Sequence, residues 1–429
     1  ELWIYTWLKD NGYDPDVVTD MDVHVNAPNF LNTYDYLVMG THPEYWTGLI
    51  YDHVKDFQAK GAGGTGGNLI CLGGNAVFEV VDIDVSNPAN PKLIAYPYAP
   101  VGANANTATP QNNSQYPFLN PPQVGGLPTS SPFISGADYN HDRFDYFLES
   151  YNFGTVGNVI NKRSIDLIGT HYMNLASLGV SNTSYTKTLN LISPFFNGIA
   201  NTVIGINGYN LHDGVRPLGD GSAAGWECDR YTAAAAPPNY PGTPASPLST
   251  PSIYDFDIQV LASSTYTPAS DPVVIQGTFF PNGMNNSEII YVRPTCTAPN
   301  KHGFVFTAGS ICFGGSLVWN YDIQNNVYNN DLSRLLINVL EHTNFEANIK
   351  NVTCSGGNNG SITITQPALY AANSITYSLS GNSPNNTGIF TNLAAGTYQL
   401  TISIPNGNLS ITLCREYTVG DATVGNFCC

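Results

Sequence analysis

Charge is what this chain of 429 residues has least of: 11% of positions are Asp, Glu, Lys or Arg, against a usual share of about 25%. Cations are the scarcer sign, 15 against 32 acidic residues, for a net charge of −17. So few cations leave little to neutralise phosphate, which excludes a nucleic-acid partner and electrostatic binding to anionic membranes. Long apolar runs are missing as well. None approaches the ~20 residues of a spanning helix, so membrane insertion is not expected. No Cys or His spacing has the pattern of a zinc site. The chain opens on Glu1 with no initiator Met, signal peptide or targeting segment, and so reads as a processed or partly observed piece of a longer precursor.

Apolar residues make up 42% of the chain and aromatics 12%, ample for a core. With so little charge, the surface must be covered by Asn, Ser, Thr, Gly and Tyr. That composition, with eight cysteines, reads as an extracellular or cell-surface protein in an oxidising setting. Cys71 and Cys312 fall in expected buried strands and read as packed thiols. Cys228 and Cys296 lie in loop-rich stretches and could pair. Cys354 and Cys414 flank the C-terminal module and are further disulfide candidates. Cys428 and Cys429 are adjacent at the end of the sequence, and a vicinal pair bridges poorly, so one or both are candidates for pairing elsewhere or with another chain.

Residues 1–75 alternate helix and strand. A helix over Leu2–Leu8 stops near Asn11-Gly12, where glycine ends helices. A short strand at Val17-Val18, a strand over 36–40, a helix over 47–60 and a strand over 68–72 follow. Ile50, Val54 and Phe57 recur at helical spacing and line a core. The glycine-rich run 61–67 leads from helix into strand, the reverse of a phosphate-cradling loop. Residues 76–136 form a polar excursion with a surface hairpin over 81–91, and residues 143–148 read as helical. A proline-rich strap spans 231–252. A strand at 257–263 and a helix at 331–342, with Asp331 as N-cap, close the first domain. Beyond Asn344, strict alternation over 351–365 and 397–403 between Gly/Asn turns reads as a small β-sandwich.

The segment Tyr36-Leu-Val-Met-Gly-Thr-His-Pro-Glu-Tyr-Trp46 is the most informative: a buried strand ends in a polar, aromatic elbow. Ile70-Cys-Leu-Gly-Gly-Asn75 is a second strand end. Two further landmarks follow, Gly225-Trp-Glu-Cys-Asp-Arg230 and the run 303–317 with the segments 325–327 and 336–340 after it. In this order they resemble the C-terminal domain of the N,N-dimethylformamidase large subunit, a relative of the class I glutamine amidotransferases. The resemblance implies an α/β fold for residues 1–345: a flavodoxin-like, mostly parallel sheet with helices on both faces and long insertions at about 76–136 and 231–252. Ligands in such sheets sit at the C-terminal strand ends. It further implies a mononuclear iron held by one carboxylate, mapping onto Glu44, and by two tyrosines that would lie before residue 1. Residues 352–420, after a linker at 346–351 and before a Cys-ended tail at 421–429, resemble the SprB-type repeat of Bacteroidetes surface proteins. That resemblance implies an Ig-like sandwich and export, often by type IX secretion.

The chemistry centres on His42 and Glu44, a carboxylate two residues from an imidazole on one loop, able to hold a metal or share a proton-transfer task. Asn75 is the candidate donor to a developing oxyanion. The bland alternative is that His42 and Glu44 cap backbone groups. Tyr5, Tyr36, Tyr45 and Tyr51 are the in-chain phenols that could replace the upstream ligands. Cys71 falls inside its strand rather than at an elbow, which argues against a nucleophilic cysteine. The remaining histidines are scattered as surface or packing residues, and the acid run Asp14, Asp16, Asp20, Asp22 lacks EF-hand spacing and reads as a solvated turn. Three readings of the function remain. The first is an extracellular assembly subunit, fibre- or layer-forming, built on an inactive amidohydrolase-like domain and needing no cofactor. Its partner would be further copies of itself or the missing N-terminal segment, which would fill an open sheet edge. The alternative is part of an iron-dependent amide hydrolase; a carbohydrate- or ligand-binding adhesin is a third reading.

Overall fold

In a computed structural model the described residues are 2–27, 29–40, 42–61, 66–74, 76–77, 79–80, 82–84, 87, 91–94, 164–175, 184–188, 194–209, 217–218, 223–224, 227–230, 258–264, 287–296, 301–325, 327–370, 374–406 and 409–422. The expected helix at 143–148 and the strap at 231–252 lie outside them.

The chain opens with α1 (Leu2–Asp10), whose Ile4, Trp7 and Leu8 are buried one turn apart. It stops at Gly12, which takes φ +84°. The strand expected at Val17-Val18 is absent; Val17 is exposed coil. The acid run does separate structural jobs instead: Asp14 pairs with Lys9 at 2.5 Å, Asp16 accepts from the Tyr34 hydroxyl at 2.6 Å, and Asp22 closes a capping box with Thr19 at the start of α2 (Asp20–Asn26). Next come β1 (Tyr36–Met39), β2 (Tyr45–Trp46), α3 (Gly48–Lys60), β3 (Asn68–Cys71), β4 (Glu79–Val80) and the hairpin β5 (Asp82–Asp84) with β6 (Lys92–Ile94). The described remainder of the first domain is α4 (Ile165–Ile168), β7 (His171–Leu175), β8 (Tyr185–Lys187), β9 (Val203–Ile204), β10 (Gly208–Tyr209), β11 (Pro217–Leu218), β12 (Glu227–Arg230), β13 (Ile258–Ser263), β14 (Glu288–Val292), β15 (Val305–Thr307), α5 (Phe313–Leu317), β16 (Tyr321–Asp322), β17 (Val327–Tyr328) and α6 (Asp331–Glu341).

A seven-stranded sheet runs in the order β1-β3-β15-β14-β13-β8-β9. Within it only β1, β3 and β15 are mutually parallel; every other neighbouring pair is antiparallel. This corrects the expectation of a flavodoxin-like, mostly parallel fold. The molecule is rich in strands gathered into several sheets and has few helices. The reason lies in the connections. A parallel pair needs a crossover, usually a helix, whereas the chain between β14 and β15 doubles back on itself through an antiparallel bridge between Thr295 and His302. The sheet is nonetheless buried on both faces, and β3, β14 and β15 are buried at every position, as central strands between two apolar layers are. α2, α3 and α4 pack on one face around Val54, Phe57 and Leu167. α1, α5 and α6 pack on the other. α6 buries Leu332, Leu335, Leu336, Val339 and Leu340, the i, i+3, i+4, i+7, i+8 stripe of a core-facing helix. Its N-cap is Asn330, not Asp331: the Asn330 side chain accepts from Ser333 N at 2.8 Å and also donates to Leu317 O and Trp319 O. An amide can do both; a carboxylate can only accept. Cys312 likewise leads into α5 rather than sitting in a strand.

Two three-stranded antiparallel sheets follow: β18 (Glu346–Lys350), β19 (Gly360–Thr365) and β21 (Ile389–Leu393) form one; β20 (Thr376–Leu379), β22 (Gly396–Asn406) and β23 (Leu409–Val419) the other. The stretch 346–350, expected as linker, is a strand. The two parts share one apolar core. Phe345 stacks on Tyr370, and Arg415 donates to Thr343 O at 2.8 Å. Their covalent tie is Cys296–Cys414, in place of a Cys228–Cys296 pair. Cys354 is also disulfide-bonded, while Cys71, Cys228 and Cys312 are buried thiols. Cys428 and Cys429 lie outside the described residues.

Beside this junction His342 is fully buried, with Phe195, Phe304 and Tyr291 around its ring. Its Nδ1 faces the Val339 carbonyl, which can only accept, so the proton is on Nδ1 and Nε2 accepts from the Tyr291 hydroxyl at 3.2 Å. Burial holds its pKa down to about 3, with the Arg415 charge adding to the depression and the Val339 bond opposing it.

Candidate active site

The parallel strands β1 and β3 set the site, because their C-terminal ends lie side by side in register from Tyr36 opposite Asn68 to Met39 opposite Cys71. β1 runs out at Gly40, and the elbow His42-Pro43-Glu44 turns into β2. Immediately after, Thr47 caps α3 by accepting from Ile50 N at 3.1 Å. The same hydroxyl meets His24 Nδ1 at 2.9 Å, so α2 and α3 both clamp the elbow's exit.

The elbow brings His42 and Glu44 together. His42 Nε2 stands 3.0 Å from Glu44 Oε2, with the Glu44 side chain 6% exposed and that of His42 36%. A carboxylate can only accept, so Nε2 is the donor; in the neutral ring the basic nitrogen is then Nδ1. The arrangement is a buried carboxylate orienting a half-exposed imidazole, the geometry by which an imidazole is fixed as a general base. Asn75, the third expected site residue, lies outside the described residues.

The segment after β3 braces the elbow along its length. Val77 N donates to Pro43 O at 2.7 Å, and β4 then pairs parallel with β2, Tyr45 opposite Glu79 and Trp46 opposite Val80. From behind, Asp229 on β12 accepts from Ala76 N at 3.2 Å through Oδ2. Asp229 is wholly buried. It sits in the Gly225–Arg230 landmark, which marked the segment without marking this role; Gly225 and Trp226 lie outside the described residues.

The other candidates fall away from the elbow. Cys71 is fully buried at the end of β3, and burial, then the nearby Asp229 charge, pushes its thiol far above the usual range. A thiol held protonated is a poor nucleophile. Tyr36 turns toward α6, where its hydroxyl meets Thr343 and Leu340 O, and Tyr51 is buried in the core beneath α3. Tyr5 is partly exposed on α1. Tyr45, beside Glu44, is half-exposed on β2. For a metal, the elbow offers the carboxylate of Glu44 and the ring of His42, already engaged with each other. Among the described residues no group of three or more His, Cys, Asp or Glu could hold an ion. The described residues do not make the implied iron centre.

Residues 1–120, which contain the elbow, match the family described as N,N-dimethylformamidase beta subunit-like, C-terminal. In an alignment of 351 positions that covers 79% of the chain, the sequence is 25% identical to the N,N-dimethylformamidase beta subunit of Paracoccus aminophilus. It is 26% identical, over the same share, to that of an Alcaligenes species. The alignments take in 36% of each relative, so the chain spans about a third of the length of the curated relatives it matches. These findings show distant homology to that subunit. They give no support to a surface repeat in residues 352–420, nor to an assembly role.

Proposed function

We propose that the chain hydrolyses a small linear amide at the 42–46 elbow, in line with the activity named for its distant relatives. The observation that carries this reading is the His42–Glu44 pair, a carboxylate-backed imidazole at the C-terminal edge of the parallel strands, inside the region matched to the family. In this reading Glu44 keeps the proton on Nε2 and stabilises the ring once it becomes cationic, while Nδ1 takes a proton from the water that attacks the amide carbonyl and passes it to the nitrogen that leaves as amine when the C–N bond breaks. Asn75 is proposed to donate to the developing oxyanion. The similarity favours this hydrolase over the assembly-subunit expectation.

We also propose an oxidising, extracytoplasmic location, supported by the Cys296–Cys414 disulfide and the bonded state of Cys354. The functional test is amine release from a panel of formamides and acetamides by the parent chain and by His42→Ala. Loss of His42 should lower kcat by about 10²–10⁴-fold, the range contributed by general base catalysis. An unchanged rate in His42→Ala would remove the imidazole from the mechanism.

A further inference from the structure

We infer that Asp229 is a positioning residue for the His42–Glu44 pair, acting through the Ala76–Val77 turn. The carboxylate lies on β12, far from the elbow in sequence, and is wholly buried. Its Oδ2 accepts from Ala76 N at 3.2 Å, and the very next amide, Val77 N, donates to Pro43 O at 2.7 Å, between His42 and Glu44. Two consecutive backbone donors thus have opposite duties, one tied to a fixed anion and one gripping the elbow.

Val77 holds φ +53°, a left-handed conformation that a β-branched residue adopts only where its surroundings over-determine it. Its side chain is fully buried among the apolar residues under α3. The turn is therefore pinned by three things: packing of Val77, the bond to Pro43 and the bond to Asp229. Removing the Asp229 anchor frees the turn to relax toward an unstrained conformation, which withdraws Val77 N from Pro43 O.

Asp229 is itself rigidly set. Its N donates to Gly309 O at 2.9 Å. Gly309 sits at φ +66°, where an added Cβ would lie 2.3 Å from Glu288 O and 2.9 Å from Asp229 O, so the backbones approach as only glycine allows. β15, β14 and β12 are thereby fastened to the turn that holds the elbow.

The kinetic consequence rests on the hydrolase reading; the structural one does not, and the test separates them. Backbone hydrogen exchange is read in the full chain for the parent, Asp229→Ala and Asp229→Asn. In Asp229→Ala, exchange at Ala76, Val77 and residues 44–47 should rise by about tenfold or more, the effect of losing a charge-assisted hydrogen bond. Exchange in α6 and β22 should stay near parent values. Asp229→Asn keeps an oxygen acceptor and should show a smaller rise over the same residues. If Asp229→Ala does not fold, the local rise in Asp229→Asn alone decides. No local rise in a folded variant, or an equal rise throughout the molecule, overturns the inference. With amide turnover, Asp229→Ala should lower kcat with KM little changed, and Asp229→Asn should recover part of it. A parent with no turnover sinks the hydrolase reading and leaves the exchange result to decide the positioning role.

Discussion

Replacing Cys296 and Cys414 together by serine removes the covalent tie between the first domain and the C-terminal sheets. The bond closes a loop of 118 residues. The chain-entropy relation for a loop of that length gives about 5 kcal/mol of stabilisation through restriction of the unfolded chain, with about 2–4 kcal/mol the commoner yield. The folded state should change little. Phe345 on Tyr370, Arg415 on Thr343 O and the shared apolar core hold the two parts together without the bond. Equilibrium urea unfolding, followed by tryptophan fluorescence and by far-UV circular dichroism, reads the difference. The double variant is expected to lose about 2–5 kcal/mol in a transition that both probes still report together. A midpoint unchanged from the parent would refute the entropic reasoning. Separation into two transitions only in the variant would show that the disulfide, rather than the packed interface, joins the two parts.

Acid should destabilise the fold through His342. Its folded pKa is held down to about 3, below the ordinary ~6.5 of the unfolded chain, so as pH falls the unfolded state takes up the proton first. The stabilisation is complete above pH ~6.5 and is lost toward pH ~3 at up to ~1.4 kcal/mol per pH unit. His342→Gln should flatten that part of a stability-pH curve, and equal slopes in parent and variant would count against it. Trp7 and Trp46 make a second comparison, since both are buried but of the two only Trp7 has an indole partner among the described residues, Ser333 Oγ at 2.7 Å. Trp7→Phe should therefore cost about 1–3 kcal/mol more than Trp46→Phe, because it leaves the buried Ser333 hydroxyl without its donor. Equal losses by denaturant titration would dismiss that bond as a contributor.

The local elements were legible because their causes are local. The 3.6-residue recurrence of Ile50, Val54 and Phe57 and the glycine stop after α1 mark helices whatever surrounds them. The elbow was visible because polar residues crowd a strand end. Strand direction was not visible: β14 and β15 are continuously buried and read alike in parallel and antiparallel sheets, and the bridge in their connection decided the matter. Asn330 took the cap from Asp331 through carbonyls of the preceding loop, a tertiary preference that capping statistics do not contain. The pairing of Cys296 with Cys414 depends on how the last sheets dock, and cysteine spacing cannot carry that. Asp229 stood in a recognisable segment, yet its job appears only when β12 is brought behind the turn at Ala76.

Amine release from small linear amides by the parent chain beside Glu44→Gln tests the hydrolytic elbow most directly. The substituted amide would keep an oxygen acceptor for His42 Nε2 but remove the charge that stabilises the imidazolium, so the expected result is turnover in the parent and a loss of about 10²-fold or more in kcat for the variant. Matching circular dichroism spectra would show that both are folded. Equal turnover in the two proteins, or none in the parent across the panel, would contradict an amide hydrolase working through His42 and Glu44.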